Sequence, residues 1–131
     1  MPGPTQELLA DLRALVGDKA LVTGERQTSR VYDDHVGSVR AQVLVRPADT
    51  SQVAGVLRLC HARGQVVVPH GGLTGLVYGG SATASDLILS LEALNRIESV
   101  DVEPPDVTRA RSSGVRRRPP IPEKARNRFG A

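Results

Sequence analysis

Aromatic side chains are almost missing from this chain: Tyr32, Tyr78 and Phe129 are the whole set, and tryptophan is absent. Any core must therefore be built from Leu, Val, Ile and Ala packing on one another. The same scarcity argues against stacking platforms for single-stranded nucleic acid, which hold bases on aromatic faces. Cys60 is the single cysteine, which excludes an intrachain disulfide and makes a reducing compartment the simplest setting. No stretch approaches the roughly 18 consecutive apolar residues of a membrane span. The N-terminal MPGPTQELLADLRALVG has no basic segment leading into a continuous apolar run, so secretion is not indicated and a cytoplasmic location is expected.

With 131 residues, one domain is the expectation. The formal charge of +3 is unevenly spread. Residues 1–103 hold nine Lys/Arg against twelve Asp/Glu, a net −3, whereas residues 104–131 hold eight against two, a net +6. A polyanion partner would have to be bound by that tail alone, since the rest repels phosphate backbones weakly, and no nucleic-acid partner is expected.

Leu8, Leu12, Leu15 and Val16 recur at helical spacing, with Thr5 placed as N-cap and Gly17 as terminator, and predict a helix over residues 6–16. Leu21-Val22 reads as a brief strand, and Arg26 to Val39 as polar and irregular, with a turn at Tyr32-Asp33-Asp34. Ala41 to Arg46 is a β-branched apolar run stopped by Pro47, a buried strand. Asp49 or Thr50 can cap a second helix whose apolar face is Val53, Val56, Leu57 and Cys60, ending at Gly64. Gln65 to Val68, Leu87 to Leu91 and Ile97 to Val102 are strand-like, with Asn95 in the last turn. This order predicts an α+β fold in which helices cover a small mixed sheet. From Pro104 onward five prolines and eight basic residues replace apolar periodicity, which reads as a disordered tail. The division is an N-terminal helix (1–18), the domain proper (19–103) and the tail (104–131).

The segment with most chemical content is PHGGLTGLVYGG, Pro69 to Gly80. A pyrophosphate needs several donors converging on one small charged group. Backbone N–H groups supply them where no side chain blocks the approach, and glycine both lacks a Cβ and accepts positive φ. Gly71, Gly72, Gly75, Gly79 and Gly80 fall within ten residues directly after a strand, and Thr74 adds a hydroxyl. Neither G-x-x-x-x-G-K-[ST] nor G-x-G-x-x-G is present, so the loop is neither a P-loop nor a Rossmann fingerprint. On motif grounds alone a flexible glycine-rich surface loop remains the alternative.

The run VLVRPADTSQVAGVLRLCHARGQVVVPHGGLTGLVYGG, followed by DLILSLEALNRIESVD, resembles the start of the PCMH-type FAD-binding domain of the vanillyl-alcohol oxidase / p-cresol methylhydroxylase family. The branch it most resembles holds glycolate oxidase FAD-binding subunits and D-lactate and D-2-hydroxyglutarate dehydrogenases. The resemblance covers residues 41–102 and implies the first subdomain of a two-part α+β flavin domain. It implies FAD as cofactor, with a small 2-hydroxy acid as substrate only in full-length relatives. By position it assigns Pro69 to the strand end, Gly71, Gly72, Leu73, Thr74, Gly75 and Leu76 to the diphosphate cradle, and Gly79 and Gly80 to its closure; His70, which precedes the Gly-Gly pair, is counted with them as cofactor-binding. Some members attach flavin through a histidine directly after the Gly-Gly pair. Leu73 stands there, which implies a non-covalent cofactor. Tyr78 stands where a small residue is common and is harmless if it points outward. The second half of the flavin domain and the substrate domain have no counterpart in the chain, so no catalytic residue is assigned, and the tail reads as out-of-frame translation.

Other features carry bland readings. Cys60-His61 has no second ligand pair at metal spacing, so a buried thiol and a helix-end histidine are expected and no metal is assigned. Asp33-Asp34-His35 reads as a solvated turn. Arg116 to Pro122 fits R-x-x-P-x-x-P, which would make the chain a non-enzymatic binding module acting through its tail. A poorly folding gene remnant is the third reading, because strands made for a missing subdomain leave exposed edges.

Overall fold

The computed structural model describes residues 2–100 and 108–110, with side chains for residues 2–96. Helix α1 runs Gln6–Val16, and the Leu8 N–H donates to Thr5 Oγ1 at 3.3 Å, the expected N-cap. A 3-10 turn (Asp18–Ala20) leads into strand β1, Leu21–Thr23, and a single helical turn α2, Glu25–Thr28. Strand β2, Val43–Val45, precedes helix α3, Thr50–Ala62, whose N-cap is Asp49 with Oδ1 accepting from the Gln52 N–H at 2.8 Å. Strands β3 (Val67–His70) and β4 (Leu87–Ser90) follow, and β5 (Ile97–Val100) pairs antiparallel with β6 (Thr108–Ala110).

The main sheet has the order β1-β2-β4-β3, with β1 antiparallel to β2 and both β2 and β3 parallel to β4. It is mixed, as expected. Side-chain alternation divides the core between its faces. Leu21, Val43, Val45, Leu87 and Leu89 meet Leu8, Leu12, Val56 and Cys60 of α1 and α3. Leu44 and Ile88 face the other way, onto Ala41 and Ala82, with Val22 and Val68 beside them. Burying each such side chain stabilises the fold by about 1.5–3 kcal/mol before chain entropy is counted.

Three expectations shift. Leu57 is 44% exposed, because the buried stripe of α3 is turned toward Gly55, over which α1 packs. The third strand runs through Pro69 and His70 rather than stopping at Val68. It is an edge strand, where a proline without N–H costs no ladder bond on its open side. Thr108–Ala110, inside the segment read as tail, forms β6, whereas the remainder of 101–131 lies outside the described residues. Among the described residues no helix is long and apolar enough to cross a membrane.

Candidate functional site

Because β2, β4 and β3 are parallel, their C-terminal ends lie on one edge, the edge of parallel sheets outside which ligands characteristically bind. The glycine-rich loop leaves β3 there, at His70, which is in register with Ser90 at the end of β4. Both residues are buried, on the face shared by Leu44 and Ile88. The chain then needs a crossover to return to the start of β4, and residues 71–86 provide it.

The loop rests on the segment read as irregular. Val36 closes a 3-10 turn (Asp34–Val36) and Gly37 follows at φ 93°. A Cβ on Gly37 would stand 2.0 Å from Ser81 Oγ and 3.2 Å from Tyr78 Cβ, so both backbone conformation and space demand glycine. The Ala82 N–H donates to the Ser38 carbonyl at 3.0 Å and the Arg40 N–H to the Ala82 carbonyl at 2.7 Å, a short parallel bridge fastening the end of the loop. Two histidines complete the attachment. The Nε2–H of His35 donates to the Leu73 carbonyl and the Nε2–H of His70 to the Gly80 carbonyl, both at 2.7 Å. His35 thus leaves the solvated-turn reading and becomes a contact of the loop.

Between these anchors the loop offers donors. None of the backbone N–H groups from Gly71 to Gly80 donates to an acceptor among the described residues. The left-handed positions are Leu73 (φ 54°) and Tyr78 (φ 58°) rather than the loop glycines. A left-handed residue inside a run of free N–H groups is the element from which anion-binding nests are made. The glycines serve by space. A Cβ on Gly75 or Gly79 would meet nothing within 4 Å, so the fold itself does not require them bare. Gly80 differs: its Cβ would stand 2.6 Å from Val36 Cγ1 and 3.3 Å from Leu73 Cδ2.

At the foot of the loop a cleft of about 70 Å³ is lined by Gly71, Gly72, Leu73, His70, Ser90 and Arg30, with Tyr32, Leu44 and Glu92 around them. Glu92 bridges two guanidinium groups, Arg30 at 3.3 Å and Arg46 at 3.4 Å, so the charges of Arg30 and Glu92, which both line the cleft, offset each other there. The edge of one ring meets the face of the other between Tyr32 and His70, centroids 5.6 Å apart, and the Tyr32 hydroxyl accepts from Gln27 Nε2 at 3.1 Å. Burial pushes the His70 imidazole below its ordinary pKa; the bond to Gly80 opposes this, while the Arg30 charge adds to it. The ring is therefore held neutral, as a strut.

Of the residues predicted from sequence, Gly71, Gly72, Leu73 and His70 line the cleft. Thr74, Gly75, Leu76 and Gly79 form the exposed rim, Gly80 is buried, and Pro69 lies within β3. Tyr78 points outward, 62% exposed. Sequence reasoning missed His35, Gly37, Arg30 and Tyr32, which lie in a stretch without periodicity.

Residues 41–111 match a family described as an FAD binding domain. The chain belongs to that family. This FAD-binding domain is 33% identical over 91 residues to a probable mitochondrial D-2-hydroxyglutarate dehydrogenase of Oryza sativa subsp. indica, covering 68% of the chain and 16% of the relative. It is 31% identical over 101 residues to a D-lactate dehydrogenase of Anaerostipes hadrus, covering 76% and 21%. The FAD-binding domain thus spans about a fifth of these relatives or less. In fold it is similar to p-cresol methylhydroxylase with substrate bound (TM-score 0.58, 20% identity, 79% of this chain and 22% of that one). The resemblance to the PCMH-type flavin domain holds, and FAD is the cofactor of the family. The residues present fit its diphosphate: unpartnered backbone N–H groups from Gly71 to Gly80, with Gly75 and Gly79 bare where a Cβ would meet nothing in the protein.

Proposed function

We propose that this chain supplies the diphosphate-binding part of an FAD-dependent oxidoreductase that oxidises a small 2-hydroxy acid, with the cofactor held non-covalently. The observation that carries the reading is the run of unpartnered N–H groups from Gly71 to Gly80, held over the C-terminal edge of parallel strands. Gly71, Gly72 and Leu73 supply donors at the cleft, Gly75 and Gly79 leave room for close approach, and the guanidinium of Arg30, paired to Glu92, stands beside them. Leu73 offers no nucleophile for a covalent link, and its side chain packs against Gly80 instead. The substrate class follows from the names of the D-2-hydroxyglutarate and D-lactate dehydrogenase relatives. When bound, the flavin supplies a hydride acceptor, so the protein's part is binding and orientation. The cleft of about 70 Å³ can take up a phosphate group but not cover an isoalloxazine ring. The chain alone is therefore expected to bind FAD without turning over a hydroxy acid.

Titrating the purified chain with FAD and following flavin fluorescence tests this. Saturable binding that ADP displaces and riboflavin does not, with no reduction of a dye acceptor by D-lactate or D-2-hydroxyglutarate, is the expected outcome. Displacement by riboflavin alone, or no binding of FAD at millimolar concentration, contradicts the site assignment. Turnover by the isolated chain contradicts the partial-enzyme reading.

A further inference from the structure

We propose that His35 is a positioning residue of the cofactor site, acting through the Leu73–Thr74 peptide; this rests on the reading of the loop as a diphosphate site. In a trans peptide the carbonyl of one residue and the N–H of the next point in opposite directions. The Nε2–H of His35 takes the Leu73 carbonyl at 2.7 Å, so the Thr74 N–H is turned away from His35, and no described group accepts it. Leu73 holds this orientation at φ 54°, a left-handed conformation unfavourable to a leucine. Without a partner for its carbonyl the peptide would be free to rotate, placing an oxygen where an anion needs a donor.

The histidine is itself well placed to act as a fixed point. It lies in the 3-10 turn Asp34–Val36, where the Val36 N–H donates to the Asp33 carbonyl at 2.9 Å. Val36, the next residue, is buried against the position of Gly80. His70 does for the Gly80 carbonyl what His35 does for that of Leu73. The two imidazoles thus bracket the loop near its ends, 35 residues apart in sequence. Each consumes a carbonyl that would otherwise repel phosphate, and His35 lies outside the residues that line the cleft.

The test compares His35→Phe, which keeps a flat ring without the donor, with His35→Gln, which keeps an N–H at similar reach. In the ¹⁵N,¹³C-labelled full chain, His35→Phe is expected to shift the Leu73 carbonyl and Thr74 amide resonances and to weaken FAD binding roughly tenfold, the scale of losing one charge-assisted hydrogen bond. Its thermal midpoint should stay close to that of the parent, and His35→Gln should restore both resonances and affinity to within about threefold. Parent-like affinity in His35→Phe overturns the proposal, as does equal loss in both variants, which would point to ring packing. If the parent itself binds no FAD, the function proposed above fails separately. In that case a shift in His35→Phe reversed in His35→Gln shows an anchored peptide without a cofactor role, and this overturns the proposal, as unchanged resonances also do.

Discussion

Leu15 of helix α1 lies directly over Gly55 of helix α3: a Cβ on Gly55 would stand 2.7 Å from Leu15 Cδ2. The contact lets the two helices approach closely while both cover the same face of the sheet. A glycine inside a helix costs about 1 kcal/mol relative to alanine, so its presence here is offset by packing. Since the obstructing atom is the end of a half-buried side chain, Gly55→Ala is expected to be near neutral. Gly55→Val adds methyl groups that Leu15 cannot clear and should destabilise by about 1–3 kcal/mol. Urea unfolding of both variants checks this, and equal stability would show that the helices are not in register as described.

Gly75 and Gly80 separate the needs of the fold from those of the ligand. Gly80→Ala forces Val36 or the loop to move and should destabilise by about 1–3 kcal/mol, because the Cβ would meet Val36 Cγ1 at 2.6 Å. Gly75→Ala meets nothing within 4 Å and should leave the melting temperature unchanged. If the loop closes on a diphosphate, Gly75→Ala should nevertheless weaken FAD binding severalfold. A variant that melts and binds like the parent would place the diphosphate elsewhere.

His70 makes stability depend on pH in a defined direction. Its folded-state pKa is lowered, chiefly by burial, so the unfolded chain takes up a proton first on acidification. The stabilisation is fully present above the ordinary histidine range, about pH 6.5, and is lost as pH falls through the lower folded value. Melting temperature measured from pH 7.5 down to pH 5 should therefore fall more steeply in the parent than in His70→Gln, which can still donate to Gly80 but does not titrate. Parallel profiles would mean that His70 is not held neutral by burial.

Cys60 should be chemically quiet. It is buried beneath α1, and burial raises its thiol pKa, an effect the Arg63 charge only partly opposes. Alkylation by iodoacetamide at pH 8 is expected to be slow in the native chain and fast in urea. Rapid native labelling would show that the α1–α3 interface opens.

How much was legible from sequence differs by element. Both long helices could be read because cap and periodicity are local: Thr5 and Asp49 accept from N–H groups three residues on, within the same turn. The face of α3 was read less well. Leu57 fits a helical stripe, but which side of a stripe is buried depends on where α1 packs, and Gly55 rather than Leu57 marks that side. Apolar pattern alone ends the third strand at Val68, whereas it runs to His70, and its edge position in the sheet makes proline tolerable there.

The loop follows the same division. That Pro69 to Gly80 is a glycine-rich loop, and neither a P-loop nor a Rossmann turn, was determined by the sequence alone, because glycine spacing is local and follows directly on a strand. Which groups hold the loop was decided only by tertiary structure. His35 lies 38 residues from Leu73, in a segment without periodicity, and His70 lies 10 from Gly80, at the end of β3. Left-handed backbone falls on Leu73 and Tyr78 instead of the loop glycines. A single hydrogen bond between distant residues leaves no pattern in a sequence, and it takes the folded sheet edge to bring its two ends together.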